Sequence, residues 1–156
     1  RGVLYIGVMV TAEGPKVLEY NVRFGDPEAQ VIMPLLDGDW GEVMREVARG
    51  ELPQLNWKPL SCSCVVLAAE GYPKAPIKGV KIEGNIKHQA PSSYFLHAGT
   101  GDNENNELVV NGGRVINAIG LGSSLRESLA NAYDQASKIH WPGMQLRKDI
   151  GSKSRS

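Results

Sequence analysis

The chain has 156 residues, 42% hydrophobic and 22% charged, which is ordinary globular material sufficient for one domain or one and a half. Its 17 lysines and arginines balance its 17 aspartates and glutamates, so the electrostatic footprint of a nucleic-acid or acidic-membrane binder is missing and neither partner is expected. No apolar run approaches the roughly 20 residues that span a bilayer, and no charged leader precedes an apolar core with a cleavage site, so the sequence reads as soluble and cytoplasmic. It begins at Arg1 without a methionine, which fits a segment of a longer polypeptide.

Val3 to Val10 and Lys16 to Arg23 are apolar runs joined through Glu13-Gly14-Pro15, a pattern that predicts a β-hairpin. Side chains alternate along a strand, so the second run sets Glu19, Asn21 and Arg23 on one face and Leu18, Tyr20 and Val22 on the other. Two oxygen donors at i and i+2 can hold a hard cation such as Mg²⁺, whose octahedral shell keeps waters and takes further ligands from phosphates. The arginine next in line can grip a phosphate. A solvated edge strand followed by a turn at Gly25-Asp26-Pro27 accounts for the same pattern without any ligand.

Glu28 to Leu36 carries Val31, Ile32, Leu35 and Leu36 at helical spacing, with Asp26 expected as the cap and Pro27 at the first helical position. Free amides and the helix dipole at such a start attract anions, although a plain capped helix has the same signature. A second helix is predicted over Asp39 to Arg49, with Trp40, Val43, Met44 and Val47 on one face and Gly50 past its end. Leu52 to Leu60, with its prolines, reads as a linker.

Beyond it the pattern changes to short strands: Ser61 to Ala68, Lys81 to Ile86, Tyr94 to Thr100, Glu107 to Val110 and Arg114 to Leu121. Gly101 to Asn106 is a polar loop with no assigned chemistry. Ser124 is expected to cap a last helix running to Lys138, with Leu125, Leu129, Ala132, Tyr133 and Ala136 as its buried stripe. Cys62 and Cys64 share a strand face, too close for an unstrained disulfide and without further zinc ligands nearby, so they read as reduced, half-buried residues. His97, in an apolar strand, is expected to be a packed core residue. His88 and His140 carry no motif. The last five residues, 152–156, form a polar tail. Together these elements predict an α+β fold.

The run Glu19-Tyr20-Asn21-Val22-Arg23-Phe24-Gly25-Asp26-Pro27-Glu28 resembles the metal-binding strand of the ATP-grasp ligases, and more narrowly of the phosphoribosylamine–glycine ligase family, which carries a Glu-x-Asn-x-Arg-Phe-Gly-Asp-Pro-Glu string. Further resemblance lies in Arg1 to Met9, Gly112-Gly113-Arg114-Val115 and Arg147-Lys148-Asp149-Ile150-Gly151, in the family's order. The resemblance implies that residues 1–55 correspond to the closing part of the ATP-grasp catalytic domain and 56–151 to a small β-rich C-terminal domain.

It implies that Glu19 and Asn21 bind the Mg²⁺ or Mn²⁺ that bridges the phosphates of ATP, the co-substrate. The implied reaction joins glycine to 5-phosphoribosylamine through a glycyl phosphate, giving ADP, phosphate and glycinamide ribonucleotide. Phosphoryl transfer to a carboxylate brings anion against anion, and metal ions and arginine neutralise that charge. By this analogy Arg23 and Asp26 are the catalytic candidates, Arg23 holding the transferring phosphate, and the Gly25-Asp26-Pro27-Glu28 loop orders the substrate side. Arg114, Arg147 and Lys148 are candidates for the phosphoribosyl phosphate or glycine, with interdomain salt bridges as the alternative. Val3 to Val10 lacks the extra acidic ligand that many ATP-grasp enzymes place upstream, an absence the narrower family shares.

The implied adenine pocket, phosphate-binding lysines and N-terminal substrate domain would precede Arg1, so those segments of the same polypeptide are the expected partner and the isolated chain is expected to be inactive. A noncatalytic binding or structural fragment, or a sister ATP-grasp ligase acting on another carboxylate and amine, are the alternatives; the Arg-Phe-Gly-Asp-Pro-Glu string argues against the sister enzyme.

Overall fold

The computed structural model describes residues 1–152, so Lys153 to Ser156, most of the expected tail, lie outside the described residues. The chain divides into two compact units, Arg1–Lys58 and Pro59–Ser156. Antiparallel sheets and separate helices make both of them α+β. Among the described residues no helix is long and apolar enough to cross a membrane.

In the first unit, β1 (Tyr5–Thr11) pairs antiparallel with β2 (Gly14–Asn21), with a bulge between Gly7 and Val8. The turn closes on Gly14 at φ +102°, where glycine has no steric penalty. Thr11 Oγ1 donates to the Gly14 carbonyl at 2.7 Å. Strand β2 stops at Asn21, so Arg23 lies beyond the ladder and does not continue the Glu19–Asn21 face as expected.

The expected helix over Glu28 to Leu36 is shorter. Helix α1 spans Glu28–Ile32 and passes into a 3-10 turn, Met33–Leu35, because Pro34 has no N–H to continue the i to i−4 ladder. Pro27, not Asp26, is its N-cap, and no side chain caps it. Asp26 Oδ1 instead accepts from Gln30 Nε2 at 2.6 Å.

Helix α2 (Trp40–Arg49) follows the sequence closely. Asp39 caps it by accepting from Gly41 N at 2.6 Å, and Gly50 ends it at φ +85°, the left-handed turn that glycine favours. Trp40 stacks edge-on against Phe24 with ring centroids 5.6 Å apart. The stretch read as a linker is tied down at its end, since Asp37 N donates to the Asn56 carbonyl and Lys58 N to the Leu35 carbonyl, both at 2.8 Å.

The second unit is built on a three-stranded sheet, β3 (Ser61–Ala68), β8 (Arg114–Gly122) and β5 (Ser93–His97), with β8 in the centre. Helix α3 (Leu125–Ala136) lies on one face. Its approach depends on bare backbone in β8: a Cβ on Gly120 would sit 2.2 Å from the Ser128 carbonyl oxygen and 2.3 Å from Ala132 N. Val65, Leu67, Val115, Ile116, Ala118, Ala132 and Ile139 form the core between them. Two short ladders complete the unit, β4 (Glu83–Gly84) with β9 (Ile139–His140), and β6 (Thr100–Asp102) with β7 (Leu108–Val110).

Several expectations change here. The strand read over Lys81 to Ile86 shrinks to β4, because Gly84 turns at φ +106° with its α-carbon against the Lys138 carbonyl. The run Tyr94 to Thr100 breaks into β5 and β6 at Gly99, where a Cβ would meet Gly112 Cα at 2.6 Å. The polar loop is a turn organised by Asn103, whose Oδ1 accepts from Asn105 N and Glu107 N. Ser124 caps α3 as expected. Its buried stripe is rotated: Ser128 and Gln135 are inside with Leu129, Ala132 and Ala136, while Leu125 is exposed and Tyr133 half-buried.

His97, expected in the core, is exposed at the end of edge strand β5, its Nδ1 3.0 Å from Thr100 Oγ1. His88 is half-buried against Gln135. Cys62 and Cys64 are free, half-buried thiols as read, and burial pushes the Cys62 thiol up to about 11.

Candidate metal and substrate site

Register places the polar residues of the hairpin. Gly7 pairs with Glu19 and Tyr5 with Asn21, and directly opposed residues in an antiparallel ladder share a face. Tyr5, Gly7, Glu19 and Asn21 therefore form one patch. Gly7 leaves room for the carboxylate stem opposite: a Cβ there would lie 3.1 Å from Glu19 Cγ.

The chain then turns back. Ala29 N donates to the Gly25 carbonyl at 3.0 Å, and the Tyr5 hydroxyl donates to Glu28 Oε1 at 3.2 Å. Gly25 is buried beneath that carboxylate, since a Cβ on it would come within 2.2 Å of Glu28 Oε2. Desolvation, and then the nearby carboxylates of Glu28 and Glu19, raise the Tyr5 phenol above its ordinary value. Tyr5, Gly7 and the fold-back of Glu28 were not singled out from sequence. The signal available was the register of the hairpin, which sets β1 residues opposite the Glu-x-Asn pair.

Arg23 is exposed and donates from Nη1 to the Phe24 carbonyl at 2.7 Å. Asp26 is exposed beside Gln30, and Pro27 heads α1. Among the described residues no group of three or more His, Cys, Asp or Glu side chains is placed to hold a metal. The Glu19–Asn21 pair supplies two oxygens on one face, a donor set that fits an Mg²⁺ or Mn²⁺ ion completed by water and phosphate oxygens.

In the second unit, half-buried Arg114 opens β8 and donates from Nε to the Tyr72 hydroxyl at 2.8 Å. Arg147 grips Asp149 with Nε and Nη2 at 2.9 and 2.5 Å, a bidentate pair that already engages its fork. Lys148 lines an open cavity of about 540 Å³ with Tyr133, Ile139, His140 and Met144. The structure thus brings Glu19, Asn21, Gly25 and Glu28 together around Tyr5, and places Arg114 and the Arg147-Lys148 stretch in a separate unit.

Residues 62–153 match the family described as phosphoribosylglycinamide synthetase, C domain, and residues 1–29 match the ATP-grasp (A) domain of the same synthetase. The chain belongs to the phosphoribosylglycinamide synthetase family. Within that family it is 44% identical to a phosphoribosylamine–glycine ligase of Halalkalibacterium halodurans, over 98% of this chain and 35% of that protein. It is 45% identical to a trifunctional purine biosynthetic protein adenosine-3 of Drosophila pseudoobscura pseudoobscura, over 99% of this chain and 12% of that protein. The crystal structure of a phosphoribosylamine–glycine ligase from Thermotoga maritima superposes with a TM-score of 0.78 at 37% identity, over 94% of this chain and 36% of that one. The chain therefore spans about a third or less of the length of these synthetase-family relatives. Glu19 to Glu28 fall within the match to the synthetase A domain, and Arg114, Arg147 and Lys148 within the C-domain match.

Proposed function

We propose that this chain is part of a phosphoribosylamine–glycine ligase, an ATP-dependent carbon–nitrogen ligase of cytoplasmic purine biosynthesis, acting together with the ligase segments that the longer relatives carry. In this reading residues 1–55 close the ATP-grasp domain and 56–151 form the small C-terminal domain. The observation that carries it is the single polar patch of Glu19, Asn21 and Tyr5, with Glu28 folded back onto it, inside the match to the ATP-grasp domain.

Each residue then has a physical task. Glu19 and Asn21 hold Mg²⁺ or Mn²⁺, which supplies charge neutralisation for the ATP phosphates. A glycine carboxylate oxygen forms a bond to the γ-phosphorus as the bond to ADP breaks, and the amine of 5-phosphoribosylamine then displaces phosphate from the glycyl carbonyl. Arg23 faces the transferring phosphate, and the Gly25-Asp26-Pro27-Glu28 turn shapes the glycine side, Glu28 being held by Tyr5. Arg114 takes the phosphate of the phosphoribosyl group, with Arg147 and Lys148 as further candidates.

A second reading, a noncatalytic structural half awaiting a partner, is favoured by the apolar residues exposed on the hairpin, among them Val10 at 83% and Leu18 at 64%. The deciding experiment takes the intact mass of the source polypeptide and then its ADP release with ATP, Mg²⁺, glycine and 5-phosphoribosylamine. A longer chain with release that depends on both glycine and the amine supports the ligase. A 156-residue mass with no release supports the structural half.

A further inference from the structure

The start of β8 is crowded, by backbone at Gly99 and by the Tyr72 ring at Gly113. A Cβ on Gly99 would meet Gly112 Cα at 2.6 Å and the Arg114 carbonyl oxygen at 2.7 Å, and a Cβ on Gly113 would meet Tyr72 Cδ2 at 2.5 Å. Ala69 N donates to the Gly113 carbonyl and Gly99 N to the Arg114 carbonyl, each at 2.9 Å. These contacts pin the backbone of Gly113 and Arg114 from two sides. Onto this platform Tyr72 lays its ring across Gly113 and turns its hydroxyl to accept from Arg114 Nε at 2.8 Å. One aromatic side chain thus touches both Gly113 and the guanidinium of the residue that follows it.

We infer that Tyr72 is a positioning residue, which sets the orientation of the Arg114 guanidinium toward the phosphate of the phosphoribosyl substrate. The inference rests on the Arg114 assignment proposed above. A guanidinium is planar, so fixing Nε–H fixes the plane and the direction in which the terminal nitrogens present themselves. Recognition of phosphate by such a fork depends on that angle as well as on charge. A phenol suits the task because it accepts from Nε while carrying no charge of its own. The glycines have the same purpose, since a side chain at Gly113 would displace the Tyr72 ring.

The test uses the complete source polypeptide with Tyr72→Phe, Arg114→Lys and the double variant, reading KM separately for 5-phosphoribosylamine, ATP and glycine. Tyr72→Phe keeps the ring on Gly113, so its thermal midpoint should stay near that of the parent. Its KM for the amine should rise about tenfold, the lower end of the scale of a lost hydrogen bond to a charged group, with kcat and the other two KM values within about twofold. Arg114→Lys should raise the same KM further, and because lysine has no Nε–H to orient, adding Tyr72→Phe should change nothing more.

If Arg114→Lys raises the amine KM and Tyr72→Phe does not, the inference about Tyr72 is overturned while the Arg114 assignment stands. If neither variant moves it, the Arg114 assignment itself falls. A Tyr72→Phe effect that shifts all three KM values together, or adds fully to that of Arg114→Lys, overturns the positioning role and leaves a structural one.

Discussion

In the first unit Ile6, Val8, Val10, Leu18 and Tyr20 stand between 45% and 83% exposed, whereas Val65, Leu67, Val115, Ile116 and Ile119 of the second unit are fully buried. Both sets lie on well-formed antiparallel strands. The difference is what lies across from them: β8 has a strand on each side and a helix on one face, while the β1–β2 ladder is two strands alone. A lone hairpin is marginal in water because it cannot bury either face. Apolar residues along a strand therefore report that it wants a neighbour, and only the second unit supplies its own.

The largest expected effect tests that contrast directly. Residues 59–152 expressed alone should melt in one cooperative thermal transition, and residues 1–58 should show none; a cooperative transition in the short piece would break the comparison. Next, the two units should fail in different currencies. Glu19→Lys in the source polypeptide should abolish metal-dependent ADP release with the thermal midpoint unchanged, since Glu19 is exposed; retained turnover would remove Glu19 from the site.

In the second unit the damage should be to stability. Gly120→Ala should cost about 3 kcal/mol or more in denaturant unfolding, since the new methyl meets helix backbone rather than a movable side chain. Gly14→Ala in the hairpin meets nothing within 4 Å and strains only its positive φ, so its cost should be about 1 kcal/mol. Equal costs would mean that α3 can lift from β8 freely.

The smallest effect lies at the start of α3. Ser124 accepts from Glu127 N, and Glu127 Oε2 accepts from the hydroxyl and backbone N of Ser123. Ser124→Ala should cost about 1 kcal/mol. The hydrogen bonds from Ser123, its hydroxyl first, hold the Glu127 carboxyl below its ordinary value. A carboxyl lowered on folding stabilises above its unfolded value and loses that contribution as pH falls through the folded one. The difference in thermal midpoint between Glu127→Gln and the parent should accordingly be full at neutral pH and shrink below about pH 4.

Local signals were strongest where one residue decides the geometry. Asp39 and Gly50 bound α2, and Ser124 starts α3, as their chemistry requires. The alternation that places Glu19 and Asn21 on one face was equally legible. What was not legible depended on partners distant in sequence. The stripe of α3 turns toward the bare backbone of Gly120, drawing in Ser128, whose hydroxyl meets Ser63 Oγ at 2.8 Å, and Gln135. Apolar periodicity cannot register a polar residue that is satisfied in the core. His97 looked internal because its strand is apolar, but it ends an edge strand. Tyr5 joined the candidate site only through the pairing of β1 with β2, and Asp26 lost its capping role to a proline whose place at the helix start no composition rule excluded.

Gln135 has a wider consequence. Its fully buried carboxamide accepts from His88 Nδ1 at 2.9 Å and from Ser93 Oγ at 3.1 Å, and its Nε2 donates to the His88 carbonyl at 3.0 Å. The segment between β4 and β5 has little regular structure of its own; backbone bonds from Asn85 N to the Lys138 carbonyl and from Leu121 N to the Ser92 carbonyl hold its ends, and one side chain of α3 fastens its middle. Its amides should then exchange with solvent on the timescale on which the helix detaches, not on that of an independent loop. Order in that segment is borrowed from the helix, and the two should be lost together.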